Sequence, residues 1–98
     1  MAEVNIIEDS EKVTFVLKGS LVGPEVSELA RIWESKRAVT YNKRFQVDLS
    51  QVSSADYLGK EMLAVMHGYG VELLSTGPMM SAVIDEILSA EHGTLAHH

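Results

Sequence analysis

The chain contains no cysteine. Disulfides, thiol nucleophiles and zinc–thiolate sites are therefore excluded, and a reducing compartment fits. Positive charge is also scarce, with 8 Lys and Arg against 14 Asp and Glu for a net charge of -6. Such a balance argues against nucleic acid, because the phosphate backbone rewards a basic face. The single basic cluster is Lys36, Arg37, Lys43 and Arg44, which brackets a predicted helix-to-strand connection and reads as a solvated loop. No apolar run approaches the ~20 residues of a membrane span. The opening MAEVNIIEDS has acids where a secretory signal carries bases, so a cytoplasmic protein without membrane insertion is expected.

What is present is enough for one small domain. Hydrophobic residues make up 46% of 98, which supports a single two-layer core but not an enclosed cavity with a separate lid. One domain over 1–98 is expected, with its core at about 3–90. The final GTLAHH lacks an amphipathic period, so 91–98 read as a flexible tail or a tag remnant.

Two alternating runs open the chain, Val4 to Glu8 and then Val13, Phe15 and Leu17 against Thr14, Val16 and Lys18. They read as a hairpin with one face on a core, and its exposed edge leaves a homodimer open. Proline occurs only at 24 and 78, each time after glycine, where the first helical position tolerates its missing amide. Val26, Leu29, Ala30 and Trp33 then recur at helical spacing, with Trp33 as a core anchor. A second helix carries Leu58, Met62, Val65 and Met66 and ends near Gly68 or Gly70. A strand over 71–74 follows, then a helix with the stripe Met80, Val83, Ile84 and Ile87. The order is ββαβαβα, an α/β domain with a mixed sheet of about four strands packed against helices.

Phe45 to Gly59, FQVDLSQVSSADYLG, is the richest segment. Phe45, Val47 and Leu49 alternate as a strand, a polar loop follows, and Ser53, Ser54 or Asp56 can cap a helix starting near Tyr57. Those helix amides also suit an anion, so the turn holds either a phosphate or only a cap. Hydrolysis by Ser53 or Ser54 needs His67 as base, yet about 15 Å of helix separates them. Gly68-Tyr69-Gly70 follows a helix, the wrong order for a nucleotide loop, and reads as a plain turn. His67 and His92 are isolated, so no metal and no cofactor is expected.

A strand ending in DLSQV, then small residues, Asp56, two residues and Gly59 resembles the STAS domain, the family of sulphate-transporter domains and anti-sigma-factor antagonists. The resemblance spans roughly 12–90: KGSL, the Pro24 helix, FQVDLSQV, Asp56 with Gly59, VELLSTG and the last helix fall in order. It implies a non-catalytic, partner-switching regulator, with contacts at Ser54, Asp56, Tyr57, Leu58, Gly59, Lys60 and Glu61. In phosphorylated members the acceptor serine immediately precedes the glycine. Here that position holds Leu58, which cannot be phosphorylated, and Ser53 and Ser54 are only weak substitutes. The implied partner is an anti-sigma factor or kinase-like regulator, or else the ATPase of an ABC transporter.

Overall fold

A computed structural model describes residues 3–75 and 77–96, with side chains treated outside 78, 79 and 90–96. Two strands, β1 (Glu3–Glu8) and β2 (Lys12–Leu21), form the predicted hairpin. Asp9 closes it, since its Oδ1 accepts from the amides of Glu11 at 2.7 Å and Lys12 at 2.9 Å. Helix α1 (Pro24–Val39) leads to β3 (Arg44–Ala55), and α2 (Tyr57–Gly68) leads to β4 (Glu72–Leu74) and α3 (Pro78–Ala96). The sheet order is β1-β2-β3-β4, with β1 antiparallel to β2 and β2, β3 and β4 parallel. Both crossovers step the same way across the sheet, so right-handed connections place their helices on one face.

That face holds the core. Val13, Phe15 and Leu17 of β2 and Val47 and Leu49 of β3 are fully buried, against Leu29 and Trp33 of α1 and Leu63 and Met66 of α2. Trp33 is 1% exposed and anchors α1 as its spacing predicts. The opposite face carries a polar row at paired positions: Thr14 donates to Gln46 at 3.2 Å, and Gln46 donates to Glu72 at 2.6 Å.

Three differences from the sequence expectation have physical causes. First, 50–54 is not a loop, because β3 runs on to Ala55. Val16 to Lys18 of β2 faces Asp48 to Gln51, and Gly19 to Ser20 faces Val52 to Ser54, so β3 gains one extra residue at each of two bulges. A bulge resets the facing of the strand, and the inward set becomes Val47, Leu49, Val52. At the first bulge Asp48 Oδ1 accepts from the Ser50 amide at 2.9 Å.

Second, α2 buries Gly59, Leu63 and Met66, not the stripe through Leu58 and Val65, which are 53% and 48% exposed. A Cβ at Gly59 would run into the Leu21 carbonyl oxygen. Only glycine lets the first turn of α2 sit so close to β2, and that approach rotates the helix. Its other end closes as foreseen. Gly70, at φ 91°, donates to the His67 carbonyl at 2.9 Å, and Val71 donates to the Met66 carbonyl at 3.0 Å. These two bonds make a Schellman stop.

Third, α3 continues to Ala96, so residues 91–96 are helical in backbone, and His97 and His98 lie outside the described residues.

The two glycines of α2 make a paired test. Gly59→Ala should lower the urea-unfolding free energy by about 1–3 kcal/mol through overpacking. Gly68→Ala, with nothing near its Cβ position, should leave stability unchanged or raise it by up to ~1 kcal/mol.

Candidate functional site

The carboxyl ends of β2 and β3 lie side by side, and each turns directly into a helix. In open α/β sheets this edge is where sites form. Asp56 is the N-cap of α2, and its Oδ1 accepts from the Gly59 amide at 2.8 Å. Its other oxygen, Oδ2, accepts from the Gly23 amide at 3.0 Å. Gly23 is itself the N-cap residue of α1 at φ 51°, without a side chain to cap with. One carboxylate therefore serves two helix starts. The Asp56 amide in turn donates to the Leu21 carbonyl at 3.2 Å.

The electrostatics follow from those bonds. The amides of Gly59 first, then Gly23, hold the Asp56 carboxyl below its ordinary value of 3.8. The choice between phosphate and cap resolves to a cap, because an internal anion already sits where the two helix starts converge.

Around this clamp the other implied contact residues differ in availability. Tyr57 is 72% exposed and donates from its hydroxyl to Glu61 Oε1 at 3.1 Å, a bond that raises its pKa. Leu58 stands beside it with 53% of its surface free. Gly59 is buried and contributes shape alone. Lys60 reaches Glu86 of α3 at 3.8 Å, a loose ion pair between helices. Ser53 and Ser54 sit on the strand end, where Ser54 donates to Ser20 Oγ at 3.2 Å and Ser53 lies 3.3 Å from the same oxygen. His67 lies in the last turn of α2, at the opposite end of the helix from these serines. Serine and base are thus not brought together.

Val65, almost half exposed and two turns beyond Leu58, was missed by the sequence reading. Its signal was the spacing of seven from Leu58, which shares a helical face. Among the described residues no three His, Asp or Glu side chains gather as a metal would require. No described helix is long and apolar enough to cross a membrane.

No family model matches the chain, and no curated protein matches it. Among solved structures it is similar to an uncharacterised protein of the DUF3478 family with a SpoIIAA-like fold, from Shewanella loihica PV-4. That protein is 15% identical at a TM-score of 0.56, over 81% of this chain and 71% of the other. A further structure, described as Mglu in its native form, is 12% identical at a TM-score of 0.49, over 76% of this chain and 26% of that one. The fold is thus SpoIIAA-like, a STAS-like mixed α/β domain.

The clamp has a pH signature. A carboxyl whose folded pKa is depressed stabilises above its unfolded value and loses that contribution as pH falls through the folded one. Asp56→Asn should lower Tm by several degrees at neutral pH, since its amide NH2 can replace only one of the two acceptors. The gap from wild type should close as pH drops below 3.8, the ordinary value, and thermal melts across pH check it.

Proposed function

We propose that this chain is a STAS-like regulatory module of the bacterial cytoplasm. It acts without chemistry of its own, by docking on a protein partner as an anti-sigma-factor antagonist does. The docking surface is the first turn of α2, with Tyr57, Leu58 and Glu61 outward, Ser54 at its margin and Val65 extending it.

The carrying observation is Leu58. It precedes the glycine that wedges α2 against β2, and it is an apolar side chain left 53% exposed on a turn whose backbone is tied down by Asp56. Fully burying a leucine is worth about 1.5–3 kcal/mol, roughly one to two decades of affinity. A serine here could carry a phosphate of ~-2 charge as a switch; leucine cannot. The Ser20, Ser53 and Ser54 hydroxyls bond one another on the strand end, which favours a structural role over a replacement acceptor. Control therefore lies with the partner or with the amount of this protein.

Purification of the tagged chain from its source cell should recover one protein partner: an anti-sigma factor of kinase type on this reading, or the ATPase of an ABC transporter on the alternative. Leu58→Asp should weaken the recovered complex at least about tenfold with unchanged circular dichroism. Equal affinity in a folded Leu58→Asp variant would sink the proposed surface. Phosphopeptide mapping after incubation with the partner and ATP should find residues 53–58 unmodified.

A further inference from the structure

The opposite end of the sheet, where β3 and β4 begin, has features that a solvated loop does not account for. A cleft of about 670 Å³ opens there, walled by Arg44, Tyr69, Leu73, Ile84 and Leu88 with Phe45 at its base. A second, of about 600 Å³, lies on the other side of Lys43 and Arg44, towards Lys12 and Asn42. The two residues therefore form a basic ridge between two depressions.

Charge and rigidity both mark this ridge. Residues 36–44 hold four of the eight Lys and Arg and no acid. Lys36 and Lys43 are neutralised by Glu8, at 2.5 and 2.6 Å, and Arg37 by Glu34 at 3.0 Å. Arg44 is exposed, and its guanidinium meets no carboxylate among the described residues. Its backbone is fixed, because its amide donates to the Glu11 carbonyl at 3.0 Å and Asn42 turns the loop at φ 62°. Glu72, which lines the first cleft, is engaged by Gln46.

Tyr69 stands at the rim, 63% exposed yet held: its ring meets Trp33 edge-on at 5.3 Å, and Arg37 lies over it at 4.6 Å. Tyr41, in the loop before the ridge, is 78% exposed. Exposed tyrosines beside arginine are the residue types on which interface energy concentrates, and side chains already held in place lose little entropy on binding.

We propose that this end of the sheet is a second recognition surface, taking an extended acidic segment of a protein partner. A partner carboxylate pairs with Arg44 across the ridge, and an apolar side chain enters the Phe45–Leu73–Ile84 cleft. A small carboxylate fills one depression only, whereas an extended chain crosses the ridge into both. Nucleic acid does not fit, because its affinity comes from neutralising several phosphates, and three of the four bases here are already paired. The surface lies at the other end of α2 from Leu58, so it stands or falls independently of the docking turn.

The test uses the full chain and short fluorescent peptides in which glutamates flank one leucine, with serine-for-leucine and lysine-for-glutamate versions as controls. The glutamate–leucine probe should bind saturably and shift the amide resonances of Phe45, Gly70 and Leu73. Arg44→Glu should weaken it at least about tenfold, Arg44→Gln and Tyr69→Ala should weaken it less, and Leu58→Asp should leave it unchanged. The proposal is overturned by any of four results: no binding, equal binding of the serine version, shifts centred elsewhere, or saturation of the same shifts by hexanoate alone.

Discussion

Two helix starts converge on a single carboxylate, and most of what distinguishes this domain depends on that meeting. Asp56 caps its own helix in the ordinary way, but its second oxygen reaches the amide of Gly23, thirty-three residues earlier in the chain. The first helix has no capping side chain of its own. Removing the carboxylate thus uncaps both helices at once. It also leaves amides of two like-signed helix ends facing each other with no anion between them.

Gly59 completes the constraint from the other side. The cap fixes where α2 begins, and the missing Cβ fixes which face turns inward, because the helix presses on the Leu21 carbonyl. The price is an exposed leucine and an exposed valine on the outer face. In a monomeric domain of this size such side chains are ordinary one at a time. Set on a rigid turn next to an exposed tyrosine, they form a surface whose shape is settled before any partner arrives, which lowers the ordering cost of association.

Much of this was legible in the residues, and the failures have identifiable causes. Period-two alternation in Val13, Phe15 and Leu17, glycine–proline helix starts and the Gly70 stop are local signals, and each appears in the structure where the spacing put it. Asp56 was recognised as a possible cap. Its bond to Gly23 was invisible, since no local pattern reports a contact between distant turns. The face of α2 was misjudged by one residue because an apolar count favours Leu58 and gives no weight to Gly59. Arg44 was grouped with three other bases as a solvated cluster. Only the fold shows that the other three are paired while it is not.

The two bulges in β3 bear on how this chain can change over generations. Residues 50–54 are polar and rich in serine, the composition at which insertions and deletions are commonly tolerated. Yet each residue there occupies a counted place between Leu49, facing in, and Asp56, whose two oxygens must arrive at two separate amides. Loss of a single residue would restore plain pleating and carry the carboxylate to the wrong side of the sheet. Substitution can alter the lettering of this stretch freely, while its length is locked.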